Sequence, residues 1–577
     1  MNVLAHRHTL KRHWQEDPAS FVLRLWRRKA NASHQRLLVA FDNVLRAAPA
    51  TRMAATAALL RENSDSVRER LKAALAKGPR GAQAKYFADL ALAAHEPELA
   101  KVFAGRMDDA VGTEQTLAKL DFYNGNTTQA ISRLDPENQR LARLRDRYLA
   151  EQEVFGDWCP AVSSIQDYEP RQRTVLHLLT NSLPYTSTGY TQRSHSLLKA
   201  QAVAGWRVHA ATRLGYPESL GILPHHSKQT IDQVTYHRLR ADGPVPNLRD
   251  RLQEEAEKLL RLVLELRPAV IHTTTHFVNG LVARAVAEAV GIPWVYEVRG
   301  QLSDTWASKR GPEATESERY RRFNAREAEV MAAANLVLTL GHAMRDRILG
   351  AGVNPARVLL SPNAVGNAFL ETPRPSRVAK LELHLDPDKF FIGTVSSLVS
   401  YEGLDDLISA FAELRTGRDD VELMIVGDGM AMPSLRLHAA ELGLDPEKIF
   451  TGRVPAQQAP LRHQALDVFV VPRKDFAVTR AVTPLKPVEA MASCRPVVAS
   501  DLPALREMVK DGVTGLVVPP SDPSALADAI HRLLEDGDVR ARMGFAGRAT
   551  VLNTRTWERN AMLCIENYNT LIRDVPR

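Results

Sequence analysis

From Thr174 onward, short β-branched runs alternate with amphipathic helical patterns, and this alternation restricts the fold more than any other feature of the sequence. Strands are predicted at Val175–Thr180, Val208–Thr212, Val270–Thr274 and Trp294–Val298. A second series comprises Leu336–Leu340, Val358–Leu360, Phe391–Val395, Leu423–Val426, Val468–Val471, Pro496–Ala499 and Leu516–Val518. Helical spacing of apolar residues fills the intervals, as in Leu252–Leu266, Gly280–Val290, Leu404–Leu414 and Pro523–Leu534. Strand–helix–strand alternation calls for parallel sheets covered on both faces. About 400 residues are too many for one such sheet, so two doubly wound, Rossmann-like domains facing a cleft are expected. Pro362, Pro373 and Pro375 cluster at the junction. The expected units are 169–368 and 369–577, with a C-terminal helix crossing back.

Residues 1–168 differ: rich in Ala, Leu, Arg and Glu, they contain almost no Val/Ile runs. Leu59, Leu60, Val67, Leu71 and Leu75 follow helical spacing, and Pro97, Asn124-Gly125-Asn126 and Pro136 break the pattern into short helices. Ala88 and Ala100 are spaced like Ala118 and Ala130, and Tyr86-Phe87 has a rough counterpart in Phe122-Tyr123. This offset of about thirty residues suggests stacked helical hairpins, loosely similar to tetratricopeptide repeats. An all-helical N-terminal domain is therefore expected, joined by a linker from Asp157 to Arg173.

At 45% hydrophobic and 25% charged residues, the chain is neither disordered nor collagen-like. It has no apolar run long enough to span a bilayer, and its first residues do not read as a signal peptide. Cys159, Cys494 and Cys564 lie far apart, which suits three reduced thiols and a cytoplasmic location. A formal charge of +8 raises nucleic acid, anionic lipid or a phosphorylated substrate as partners. No zinc-finger spacing, RNP-type motif or basic zipper is present, so nucleic acid is not expected. Arg7, Lys11, Arg12, Arg24, Arg27, Arg28 and Lys29 surround Phe21, Leu25 and Trp26. That segment reads first as a solvated helix face and second as a peripheral contact with a protein or the inner face of the cell membrane.

The loops after the strands carry the chemistry. A buried strand ends at Val471, a basic loop follows, and Pro487 and Glu489 fall in the first turn of a helix. Arg473, Arg480 and Lys486 therefore converge beside unpaired helical N–H groups, a setting suited to a diphosphate. Taken alone, Glu489 would be a carboxylate balancing the helix dipole. His272 and His276 have a spacing a zinc ion could use, but no third ligand is evident, and loop or cleft roles are expected. No G-x-G-x-x-G follows a first strand, which excludes a standard dinucleotide site.

The stretch Thr483-Pro-Leu-Lys-Pro-Val-Glu489, with Asp501–Glu507 and Gly512–Pro519, resembles the donor half of the retaining GT-B glycosyltransferases of the GT4 family (glycosyl transferases group 1). Further similarities fall in order: Ser361-Pro-Asn363-Ala-Val365, Ile392–Leu404, Ile425-Val-Gly427-Asp-Gly429 and Phe450-Thr-Gly452-Arg453-Val454. In the first half, Leu183–Thr191 resembles the family's glycine-containing loop, and Val295–Gly300 the loop that usually offers a histidine. The resemblance covers about residues 174–570. It implies a metal-independent enzyme without a cofactor, moving a sugar from a nucleotide-diphosphate sugar to a hydroxyl of a glycan or glycoconjugate, in bacterial surface polysaccharide synthesis. By that resemblance Glu489 binds the ribose hydroxyls, and Arg453, Gly427, Asn363 and Thr483 line the nucleotide-sugar site. Gly189, Tyr190 and Thr191 form the acceptor or phosphate loop. Three departures stand out: Ala481 replaces the first glutamate of a usual pair, Ser397 and Glu402 replace the usual Arg and Lys, and Arg299 replaces the histidine. The diphosphate role is therefore assigned to Lys486, with Arg473 and Arg480 as helpers, while Glu297 and Arg299 are expected to face the cleft as catalytic groups. The alternative is a degenerate GT-B scaffold that recruits partners through its helical N-terminus.

Overall fold

The computed structural model of the chain describes residues 51–574, apart from 61–63, 109, 223–225, 244 and 309. The basic segment at residues 7–29 lies outside the described residues. Helices run from Arg52–Leu60 to Gln139–Val154 and pair antiparallel-fashion in sequence order, Gly81–Ala93 with Pro97–Ala104 and Ala110–Asn124 with Thr127–Ser132. Ala88, Ala100, Ala118 and Ala130 are all fully buried, because only a methyl group fits where paired helices approach closely. Hydrogen bonds between residues thirty apart join successive hairpins: Thr56 to Tyr86, Lys85 to Gln115 and Lys119 to Asp89.

Residues 155–173 are not a free linker, as the sequence suggests, but a strap packed on the first sheet domain. Phe155 belongs to that domain's core, and Trp158, Val162, Ile165 and Tyr168 pack against it. The Ile165 N–H donates to the Ala289 carbonyl at 2.7 Å and the Tyr168 hydroxyl to Pro268 at 2.8 Å. The run lacks any period because each apolar residue answers to a different neighbour rather than to one helix or strand.

The first sheet holds β1 (Thr174–Leu179), β2 (Arg207–Thr212), β3 (Lys228–Ile231), β4 (Val234–Arg238), β5 (Val270–Thr274), β6 (Trp294–Val298), β7 (Leu336–Thr339) and β8 (Val358–Leu360), in the order 3-4-2-1-5-6-7-8. All its pairings are parallel except the β3–β4 hairpin. That hairpin is absent from the sequence prediction because its polar strand, Lys-Gln-Thr-Ile, sits at a solvated edge. The second sheet holds β9 (Phe390–Val395), β10 (Val421–Val426), β11 (Phe450–Gly452), β12 (Val468–Val471), β13 (Val497–Ser500) and β14 (Gly515–Val518), all parallel, in the order 11-10-9-12-13-14.

In each sheet the strand order reverses beside the first strand, between β1 and β5 and between β9 and β12. Loops leaving such a switch point diverge to opposite faces and open a crevice at the carboxyl ends of the strands. Residues of β1, β5, β6 and β7 are buried without exception, as a sheet covered on both faces requires. The C-terminal helix Trp557–Asp574 returns to the first domain and packs on helix Gly189–Val203. Its Tyr568 hydroxyl lies 2.5 Å from His272 Nδ1 and accepts from Gln201 Nε2 at 3.1 Å. The two crossings of the chain between domains lie side by side: Val365 N–H donates to Arg555, and Trp557 N–H donates to Val365.

Candidate functional site

At the switch point of the second sheet, the β9 and β12 loops bring opposite charges together. After β9 the chain turns through Gly403, whose φ is +67° and where a Cβ would sit 1.8 Å from the Pro472 carbonyl oxygen, so only glycine serves. This close approach sets Glu402 against the β12 loop. The Glu402 carboxylate accepts from Arg473 Nε at 3.1 Å and Nη2 at 3.0 Å, and stands 2.6 Å from Lys486 Nζ. Burial pushes the Glu402 carboxyl up, but Arg473 and Lys486 outweigh it and hold it at about 2. Burial likewise pulls the Lys486 ammonium down to about 8 against the opposing attraction of Glu402.

This geometry divides the three predicted diphosphate cations. Arg473 is buried and held from all three of its nitrogens: Nε and Nη2 grip Glu402, and Nη1 donates to the Val482 carbonyl at 2.8 Å, which shapes the loop. Arg480 does not belong to the site: its side chain is 61% exposed and paired with Asp475, because the short helix Ala477–Ala481 turns it outward. Lys486 keeps donors to spare, an ammonium having three and Glu402 taking one. It starts helix Lys486–Ala492, and Glu489 lies one turn further on, 22% exposed and 3.5 Å from His463 Nε2. His463 is completely buried, stacked on Phe469, with no hydrogen bond to either ring nitrogen. Nothing in its sequence surroundings marks it.

Glu297 and Arg299, expected to face the cleft, do not. Strand alternation turns Val295 and Glu297 to the face covered by helix Gly189–Val203, and Glu297 is fully buried there. Arg193, one turn into that helix, donates to Glu297 from Nε at 2.9 Å and Nη2 at 2.5 Å, and Arg299 Nη2 donates at 2.5 Å. Burial pushes the Glu297 carboxyl up, but the two guanidiniums hold it well below the usual carboxylate range. Arg299 is 2% exposed and also donates to Ser194 Oγ at 2.7 Å. The pair is thus a buried ionic knot rather than a group aimed at substrate. Arg193, missed in the sequence, extends the knot to the domain junction, donating to Ser361 O at 2.6 Å and Asn363 Oδ1 at 3.2 Å. Asn363 in turn donates to the Thr483 carbonyl at 2.8 Å and so ties the two domains. Thr483 is buried with an unpartnered hydroxyl. Both residues support the loop ahead of Lys486.

On the opposite wall, Gly189 starts its helix with open space around its α-carbon, and Tyr190 is 47% exposed with its hydroxyl 3.0 Å from where a Gly300 Cβ would stand. Thr191 is buried and completes a capping box with Thr188, which accounts for it structurally. Arg453 reaches across to donate to Ser187 O at 3.2 Å. Gly427, φ +138°, lets β10 run against the β9 loop, where a Cβ would meet the Ser396 carbonyl oxygen at 1.7 Å. His272 is buried against Tyr568, and His276 precedes helix Phe277–Val290, its Nδ1 accepting from Val278 N–H at 3.4 Å. Among the described residues no group of three or more His, Cys, Asp or Glu could hold a metal ion, and no helix is long and apolar enough to cross a membrane.

Known proteins match both halves. Residues 188–364 match the glycosyl transferase 4-like domain and residues 379–550 the glycosyl transferases group 1 domain. The chain is 34% identical over 227 residues to a GDP-mannose-dependent alpha-(1-6)-phosphatidylinositol monomannoside mannosyltransferase of Mycolicibacterium smegmatis, spanning 39% of this chain and 59% of that one. It is 27% identical over 335 residues to a D-inositol 3-phosphate glycosyltransferase of Pseudarthrobacter chlorophenolicus, spanning 57% and 77%. The fold is shared with sucrose-phosphate synthase of Thermosynechococcus elongatus, at a TM-score of 0.56 and 22% identity over 69% of this chain and 99% of that one. With two sheets of this topology and a family match on each, the chain is a glycosyltransferase of the GT-B fold, joining a glycosyl transferase 4-like domain to a glycosyl transferases group 1 domain.

Proposed function

We propose that this protein is a retaining glycosyltransferase that moves a sugar from a nucleotide-diphosphate sugar to a hydroxyl of a glycan or glycoconjugate. The observation that carries this reading is Lys486: a half-buried ammonium at a helix start, at the switch point, positioned by Glu402 and with donors unspent. Breaking a sugar–phosphate bond adds negative charge to the departing diphosphate. A cation fixed beforehand beside that phosphate binds the transition state more strongly than the ground state. In this reading Glu489 takes the ribose hydroxyls, Gly427 lets the nucleotide approach the backbone, and protein groups alone meet the diphosphate charge. The relatives' acceptors, a phosphatidylinositol mannoside and an inositol phosphate, support a glycoconjugate or polyol acceptor, made at the cytoplasmic side for bacterial surface polysaccharide. Tyr190 and the open backbone at Gly189 form the wall an acceptor would meet.

A second reading has one observation behind it: Glu402, an anion, stands where the family resemblance implies a diphosphate-binding cation, which suits a scaffold without catalysis. Lys486→Ala separates the two. Loss of one preorganised charge at the leaving group is expected to cut sugar transfer or donor hydrolysis by roughly 10²–10³-fold. Equal, negligible turnover in wild type and variant, with nucleotide affinity intact, would establish the scaffold instead. Thermal shift with UDP-, GDP- and ADP-sugars identifies the donor, since a ligand at 100 times its Kd stabilises by about 2.7 kcal/mol.

A further inference from the structure

A cavity of about 240 Å³ lies where the helical domain meets the switch point of the first sheet. Thr180 at the end of β1, Arg213 just after β2 and Asn279 after β5 form its floor, and Arg251 and Arg319 its sides. The helical domain closes it with Glu151 and Phe155. Like the Gly189–Tyr190 segment after β1, it lies beyond the carboxyl ends of the strands of the first sheet.

The charges around it are unequal. Arg319 is answered by Glu151 and lies over the Phe155 ring at 4.5 Å. Glu255, buried behind Arg251 and Arg213, spends one oxygen on the Leu214 N–H at 3.1 Å. Arg213 has neither a side-chain hydrogen bond nor an ion pair among the described residues, and its nearest charged neighbours are Arg251, which repels it, and Glu255. Burial, followed by that repulsion, makes the Arg213 guanidinium hold its proton less firmly than usual. The adjoining helix Phe277–Val290 has no acid in its first turn to offset its positive end. Glu255 attracts both guanidiniums from one side and spends one oxygen on the Leu214 N–H, so Arg213, without a hydrogen bond among the described residues, keeps its donors for an anion in the cavity.

We propose that this cavity binds a phosphate ester carried on a sugar or polyol, and that it is the acceptor's phosphate, which rests on the glycosyltransferase reading above. The guanidinium fork suits phosphate oxygens in bidentate fashion, while Phe155 and Leu248 offer apolar surface to the carbon skeleton. The helical domain then selects the acceptor, because it supplies one wall and the Glu151 that steadies Arg319.

The test is thermal shift on the full chain with glycerol 3-phosphate and glucose 6-phosphate, against glycerol and glucose. The phosphate esters are expected to raise Tm and their neutral parents not. Arg213→Gln is expected to weaken ester binding at least tenfold without lowering the unliganded Tm, since the residue forms no bond there. Val278→Asp, an acid in the first turn of a helix, is an independent variant that keeps the fold and abolishes the shift by repulsion. Lys486→Ala is expected to keep it, which separates this cavity from the donor cleft. A phosphate on a lipid shares the chemistry: cosedimentation with phosphatidylglycerol but not phosphatidylcholine vesicles, lost in Arg213→Gln, places the ester on a membrane, and a soluble shift alone places it on a free acceptor. No shift in wild type, or a shift unchanged in Arg213→Gln and Val278→Asp, overturns the proposal, whatever the nucleotide-sugar assays show.

Discussion

Among individual residues, Glu402 has the widest consequences. It neutralises Arg473 and Lys486 together, so Glu402→Gln leaves buried Arg473 and half-buried Lys486 without their shared anion, and stability is expected to fall by about 3 kcal/mol in denaturant titration. The pH dependence follows from the same group. Its carboxyl, at about 2 in the folded chain against an ordinary 4.5, is stabilising above about pH 4.5, and that contribution disappears as pH falls toward 2. Lys486 runs the other way. With a folded value near 8 against 10.5, it costs stability while charged, and the cost is relieved as pH rises from 8 toward 10.5. In the proposed reaction the charged form meets the leaving diphosphate, so kcat/KM is expected to fall on the alkaline side near pH 8. In Glu402→Gln that limb should move to lower pH, because the attraction that keeps the ammonium protonated is gone. A profile flat from pH 7 to 9.5 would remove Lys486 from the reaction.

At the scale of elements, glycine positions decide how closely loops approach strands. Gly427→Ala puts a methyl 1.7 Å from the Ser396 carbonyl oxygen at a φ of +138°. Because backbone rather than a flexible side-chain tip must yield, a destabilisation of about 2–4 kcal/mol is expected in urea unfolding. Gly189→Ala, with open space and an ordinary φ, should leave stability within about 0.5 kcal/mol and report only on what approaches the cleft. The sequence patterns carried most of these elements, since buried parallel strands read as unbroken β-branched runs. They missed β3 and β4, whose polar edge has no such run, the three-residue β11, too short for a pattern, and Arg193, whose position one turn beyond Gly189 was the sole available signal.

For the whole molecule, two contacts decide how its parts sit. Glu507 of the second domain accepts from the His342 and Ala343 N–H groups at 2.6 Å each and so caps helix His342–Gly350 of the first domain. Glu507→Ala removes a cap worth about 1 kcal/mol and a bond across the cleft; a larger radius of gyration in X-ray scattering is the expected readout. The helical domain docks as tightly: Thr128 N–H and Oγ1 donate to Glu318 at 2.8 and 2.7 Å, and Arg310 lies 4.6 Å from both the Tyr123 and Trp306 rings. Removing residues 1–168 strips Val154 and Phe155 from the core of the first sheet domain, and insoluble protein is the expected result on expression.

Local chemistry in the chain was enough to determine the strands, the doubly wound halves and the basic loop ahead of Lys486, because burial of a two-sided sheet and the start of a helix both write short-range patterns. Which cations remain available was decided only in three dimensions. Arg473, Arg480 and Lys486 look alike as letters, yet one is bound to Glu402, one is turned to solvent by its helix and one is left with donors to spare. Glu297 and Arg299 were likewise drawn from the cleft by Arg193, a partner about a hundred positions away. Electrostatic pairing depends on distances between segments, and those distances exist only once the sheets have formed.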